Sequence, residues 1–259
     1  MSHTIALAGK GGTGKTTISA LLIDYLRKTQ SSSSILTIDA DPNSNLNQVL
    51  GVELNDTVVG ILDKLAGLKD GPPSGMTKNR FIEYEVQNSV SESKGFDLLA
   101  MGRPEGPGCY CYVNSVLRGL IDKLSKAYDF VVIDNEAGME HLSRRIEKSI
   151  DTFFIISDYS RVGVRSAKRI SDLAEEMKLK IGSKYLIVNM ADGDISLLKE
   201  EIKKTGLKLA GIIPFDKEIE NLSLAGKSII NNLEKSKASG LFTKIMASIK
   251  FTQKEAVTK

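Results

Sequence analysis

At 259 residues the chain can bury one sizeable core, and a single domain over residues 1–259 is the expectation. Its 41% hydrophobic and 26% charged residues make an ordinary globular composition, and a net charge of +3 is too mild for a dedicated nucleic-acid binder. It has no apolar run of membrane-spanning length, no signal peptide at MSHTIALAGK and only two cysteines, which argues against a membrane span and a disulfide scaffold and for a reducing cytoplasm.

In chain order, residues 4–8 (TIALA) read as a strand entering a glycine loop, and 15–28 as the helix that follows. SSSS at 31–34 is an exposed turn before a second strand at 35–39 (ILTID). DGPPSG at 70–75 interrupts a longer irregular segment and reads as a surface insertion. Further strands fall at 96–101, 130–134, 152–157, 185–189 and 209–214, with helices at 112–126, 140–148, 165–177 and 195–205. Near-continuous apolar strands with polar C-terminal ends suit a parallel sheet covered on both faces. The alternation therefore predicts an α/β fold, a doubly wound and mostly parallel sheet with helices on both faces. Near the end, GLFTKIMASIKF places Leu241, Phe242, Ile245, Met246 and Ile249 on one helical face with lysines opposite. That stripe reads as packing on its own domain, the alternative being a membrane-surface helix.

GKGGTGKTT, residues 9–17, fits G-x-x-x-x-G-K-[ST] with Gly9, Gly14, Lys15 and Thr16, between a strand and a helix as a P-loop requires. Gly9, Gly11, Gly12 and Gly14 let backbone N–H groups, with those of Lys10, Thr13 and Thr17, curl around phosphate oxygens at a helix N-terminus. Lys15 reaches the β- and γ-phosphates and the Thr16 hydroxyl completes a magnesium shell, so ATP with Mg²⁺ is the expected cofactor pair. VVID brings Asp134 to a strand end as a carboxylate for Mg²⁺ or its water, and TIDADPN does the same for Asp39 and Asp41. In an open parallel sheet, ligands collect at the strands' carboxyl ends, so these three acids converge there. A solvated acid at a strand end is the plainer reading of any one alone.

The loop, with its second lysine at Lys10, resembles the deviant Walker A loop of the MinD/ParA and nitrogenase-iron-protein group of ATPases. DADP, VVID, IVN and IPFD extend the likeness over nearly the whole chain. The resemblance implies a homodimer clasping nucleotide face to face, with Lys10 reaching across to the partner's phosphates as an arginine finger does. It implies that Asp41 positions the attacking water and that Asp39 supports magnesium from behind its ligands. It also implies that Asn189 recognises adenine, with Pro214 and Asp216 lining the base; an Asn at a strand end equally often caps the following turn.

GPGCYCYVN sets Cys109 and Cys111 in a C-x-C pair at a predicted helix start, where thiolates are favoured. A tetrahedral site wants four ligands and the chain has two cysteines, so nickel or zinc would sit on a two-fold axis between C-x-C pairs; two inert buried thiols are the alternative. GCYCYVN followed by DNEAGMEHLSRR resembles the CooC-type maturation ATPases of carbon monoxide dehydrogenase, with their acetyl-CoA synthase relatives. The resemblance implies a metallochaperone assisting nickel insertion into such a client, with no nucleic acid and no membrane as partner. His141 reads as a helix-start residue rather than a metal ligand. The rival functions are an iron–sulfur electron-transfer ATPase and a MinD/ParA-like positioning ATPase.

Overall fold

The computed structural model describes residues 2–68, 71–103, 119, 121–135, 149–249 and 251. Cys109, Cys111, His141 and the predicted helix at 140–148 lie outside these residues, as does most of the one at 112–126, of which 121–125 are helical. The strands are β1 His3–Gly9, β2 Ile35–Asp39, β3 Ser91–Ser93, β4 Phe96–Ala100, β5 Phe130–Asp134, β6 Ser149–Ser157, β7 Lys180–Ala191 and β8 Lys208–Pro214. They form one sheet in the order β3-β4-β2-β5-β1-β6-β7-β8. Every pairing is parallel except that of β3 with β4, so the predicted mostly parallel sheet is what forms.

Besides the stretch at 121–125, the helices among the described residues are α1 Lys15–Thr29, α2 Leu46–Leu50, α3 Val58–Gly67, α4 Lys78–Ser89, α5 Arg161–Glu176, α6 Lys199–Thr205, α7 Lys217–Leu224 and α8 Lys237–Ala247. β1 explains why both faces need cover. Ile5 and Leu7 join one core cluster with Ile18, Leu22 and Leu26 of α1, while Ala6 and Ala8 join the other with Val164 and Ala167 of α5. β6 alternates in the same way, Phe154 and Ile156 facing α1 and Phe153 and Ile155 facing α5. Period-two burial on both sides is the mark of a central strand, and all seven residues of β1 are buried.

The C-terminal stripe packs on its own fold. Phe242, Met246 and Ile249 are buried in the α1-side core, and Ile245 sits where a Cβ on Gly211 of β8 would approach its Cδ1 to 2.3 Å. Leu241 is the member of the stripe that faces outward.

Several boundaries differ from the sequence reading, each for a local reason. β7 begins at Lys180 rather than 185, because the polar stretch KIGSK pairs with the start of β6 while facing solvent. α5 begins four residues before the predicted 165, capped by Ser160, whose Oγ accepts the Gly163 N–H at 2.9 Å. Gly163 leaves room for that cap, since a Cβ there would lie 2.0 Å from Asp158 Oδ1. The expected helix at 195–205 is a 3-10 turn, Ile195–Leu198, followed by α6. Thr57 and Thr77 cap α3 and α4, two helices not anticipated on either side of the 70–75 loop.

Candidate nucleotide site at the carboxyl ends of the strands

β1 has β5 on one side and β6 on the other, and the chain winds outward from it in both directions. Its C-terminal end is therefore the switch point where a doubly wound sheet opens a crevice. Residues 9–17 fill that point. Gly9 passes so close to β6 that a Cβ would lie 2.4 Å from the Ile156 carbonyl oxygen. Gly12 and Gly14 both have φ of 81°, in the left-handed region that glycine tolerates. Gly14 is also the N-cap of α1 and supplies no side-chain cap, leaving the first N–H groups of α1 to an incoming anion.

One carbonyl gathers the loop. The Lys10 oxygen accepts from the Thr13 N–H at 3.3 Å, the Thr13 hydroxyl at 2.9 Å and Lys15 Nζ at 3.3 Å. Lys15 is thereby drawn back over the loop and buried. The Lys10 side chain, in contrast, is exposed and makes no hydrogen bond or ion pair among the described residues.

The three acids do meet beside the loop. Asp39 and Asp134 end neighbouring strands in direct register, and each is only 1% exposed. Asp39 spends both oxygens on the backbone, accepting from the Asp41 N–H at 3.1 Å and the Leu46 N–H at 3.0 Å, so it starts α2 as well as facing the site. Burial first, then the Asp134 charge, push its pKa up to about 7 against those two N–H groups. Burial likewise raises Asp134 to about 6, opposed by the Thr16 and Ser19 hydroxyls and by Lys15. Those hydroxyls are close enough to favour the anion without meeting hydrogen-bond geometry: Asp134 Oδ1 and Ser19 Oγ are both buried with no hydrogen-bond partner. Two buried acids and an orphaned carboxylate oxygen beside a threonine hydroxyl are a donor set that fits a hard divalent cation. Asp41, half-buried, accepts the Asn43 N–H at 2.8 Å within the turn after β2.

A cavity of about 270 Å³ adjoins the loop, lined among others by Thr17, Leu21, Asn189, Pro214, Phe215 and Leu224. Asn189 and Pro214 thus share one cavity, and Asn189 Nδ2 also donates to the Thr13 carbonyl at 2.9 Å. Asp216 lines the same cavity, but its carboxylate is engaged: Oδ1 accepts from the Glu218 and Ile219 N–H groups, Oδ2 from the Ser236 hydroxyl and the Ala238 N–H. Burial would raise its pKa, yet those bonds outweigh it and hold the group below its ordinary value. Its part in the pocket is to fix two helix starts.

Ser19, Asn135, Met190, Phe215 and Leu224 were not legible as site residues. Asn135 ties β5 to β1 through Nδ2 and the Leu7 carbonyl at 2.8 Å. The exposed Phe215 and Leu224 become intelligible only beside the cavity they rim. Among the described residues no group of three or more His, Cys, Asp or Glu side chains is placed to hold a metal ion by itself, and no helix is long and apolar enough to cross a membrane.

A glycine loop at the switch strand, a helix start left open to anions and paired acids beside it define a P-loop ATPase. The chain belongs to the CobQ/CobB/MinD/ParA nucleotide-binding family, whose model matches residues 4–229. It is 46% identical over 230 residues to an uncharacterized ATP-binding protein of Methanocaldococcus jannaschii, covering 88% of this chain and 90% of that protein. It is 27% identical over 235 residues to the carbon monoxide dehydrogenase accessory protein CooC of Rhodospirillum rubrum, covering 86% and 88%. In fold it is similar to a ParA family ATPase from Chlorobium tepidum, with a TM-score of 0.70 at 20% identity, covering 96% of this chain and all of that one.

Proposed function

We propose that this P-loop ATPase is a cytoplasmic homodimer, each subunit one domain over residues 1–259, that assists nickel insertion into a carbon monoxide dehydrogenase or acetyl-CoA synthase. The observation that carries the nucleotide half is the division of labour within Lys10. Its carbonyl locks the loop while its side chain projects exposed, so the lysine is fixed at its root and spare at its tip. A charge so mounted suits a second subunit's phosphates better than its own, which Lys15 already serves.

The remaining roles follow from position. Residues 9–17 cradle the phosphates, and Asn189 and Pro214 flank the base, with Asp216 bracing the wall. Thr16 and Asp134 would hold magnesium, with Asp39 behind them; the ion, when bound, neutralises the triphosphate and relieves the two buried acids of their mutual repulsion. Asp41, at the rim of the loop, orients the attacking water, and Lys10 from the partner subunit meets charge developing on the transferred phosphoryl group.

The metal half is supported by the C-x-C pair in the sequence and by likeness to the CooC accessory protein. Cys109 and Cys111 of each subunit would close a four-thiolate site for nickel, the cargo, or for zinc. Metal titration of the purified dimer tests it, with and without a non-hydrolysable ATP analogue. The expected result is one nickel or zinc per two subunits, lost in Cys109→Ser and in Cys111→Ser while ATP binding persists. By linkage, ATP and metal should change each other's affinity by the same factor. One metal per monomer, or undiminished binding in the double serine variant, overturns the shared site. Iron with acid-labile sulfide in its place turns the reading to electron transfer.

A further inference from the structure

Met190 adopts φ of 53°, a left-handed conformation that a long unbranched side chain rarely takes. It does so at a bulge, where the pairing of β7 with β8 shifts register between Val188 and Ala191. Strain of this kind persists only where the surroundings enforce it, and it collects at sites that need an unusual direction from the chain. The residue just before it is Asn189, whose Nδ2 bonds the Thr13 carbonyl at 2.9 Å and occupies the place where a Cβ on Gly14 would lie, 2.4 Å away. With Nδ2 committed to an acceptor, the amide cannot turn over. Its Oδ1 makes no hydrogen bond among the described residues and is left to the cavity that Asn189 and Met190 both line. The cavity's other carboxylates are engaged, Asp216 with four donors and Glu220 with Lys217.

We propose that Met190 is a positioning residue for purine selectivity: its left-handed backbone aims Asn189 so that one amide end latches the phosphate loop and the other offers the base a lone acceptor. An acceptor there welcomes the 6-amino group of adenine and repels the 6-oxo group of guanine or hypoxanthine. The inference rests on the nucleotide reading above and adds the device that sets its base preference.

The test compares ATP with ITP, which differ at position 6 and its ring neighbour, and uses inorganic tripolyphosphate as a phosphate-only control. Calorimetry with Mg²⁺ would be run on the wild type, Met190→Gly and Met190→Asn, which accept a left-handed backbone, and Met190→Val, which resists it. The wild type should prefer ATP by about tenfold or more, and Met190→Val should bring that ratio towards one. Met190→Asn and Met190→Gly should keep the preference although both lose the thioether. Tripolyphosphate affinity reads the loop latch alone, and the ATP-to-ITP ratio carries the test. If Met190→Val does not fold, Met190→Ala, which disfavours the conformation less, is read against Met190→Gly in the same way. An unchanged ratio in Met190→Val, or an equal loss in Met190→Asn, overturns the inference while the ATPase reading stands. A wild type that binds neither nucleotide nor tripolyphosphate overturns both.

Discussion

At the phosphate end of the cleft one unbroken stretch, residues 9–17, supplies the cradle, and it is closed by hydrogen bonds onto its own Lys10 carbonyl. At the base end the wall is assembled from Leu21 of α1, Asn189 and Met190 of β7, Ile213 of β8 and Leu224 of α7, residues that only the topology brings together. The first region binds through N–H groups and charge, which demand particular residue types at particular spacings. The second offers mainly shape and apolar cover, which many residues satisfy, with the Asn189 amide as the polar contact proposed above. Where recognition is electrostatic, the chemistry leaves a motif; where it is steric, it leaves a cavity and little else. The Asn189 bond to the Thr13 carbonyl ties the two ends directly.

This contrast predicts that damage at the two ends separates cleanly. The largest effect is expected from Lys10→Ala: hydrolysis should fall about a thousandfold while ATP binding per monomer changes little, because the transition-state charge is lost and the cradle is not. Mixed with the equally inactive Asp41→Ala, it should recover part of its activity in exchanged dimers, since one composite site then holds both intact residues. Failure to recover in verified mixed dimers would take the cross-subunit role from Lys10.

Lys15→Ala should weaken ATP and ITP alike, by about a hundredfold, since it removes a phosphate donor and leaves the base wall intact. A changed ATP-to-ITP ratio would show that the two ends are not separable.

Asp134→Asn tests the electrostatics of the phosphate end without nucleotide or magnesium. A carboxyl raised from 3.8 to about 6 on folding makes the metal-free protein lose stability as pH rises from about 4 to about 6, since the folded form must give up a proton it holds tightly. The contribution is on the order of 3 kcal/mol. The amide variant should therefore melt higher than the parent at pH 7 in EDTA and converge with it near pH 4. It should also lose magnesium-dependent ATP binding, and a parent whose melting temperature is flat across that range would contradict the buried-acid picture.

The smallest effect belongs to the base end. Leu224→Ser, at a side chain 79% exposed before ligand binds, should weaken ATP about fivefold with tripolyphosphate binding unaltered.

The sheet was readable because both faces of its central strands are buried, so β1, β2 and β5 stand out as apolar runs ending in Gly9, Asp39 and Asp134. The loop at residues 9–17 was readable because its conformation demands glycine at fixed places, Gly12 and Gly14 both having φ of 81°. What escaped was whatever depends on distant parts of the chain. Met190 looks like a core methionine until its φ is known, and Ser19 looks like one polar residue in a helix until β5 delivers Asp134 beside it. The polar first half of β7 and the short antiparallel β3 escaped because edge and solvent-facing strands carry no apolar signature.

Asp216 has a consequence for how the molecule is handled. Its two oxygens rivet the start of α7, which walls the base cavity, to the start of α8, which is anchored in the core through Phe242 and Met246. The cavity is thus guyed to the far end of the polypeptide. A chain cut before Ser236 would keep residues 9–17, Asn189 and Pro214 and still lose both Ala238 from the cavity lining and the stay that holds the pocket to its span. A label fused beyond α8 pulls on a structural rope tied, through one carboxylate, to the base.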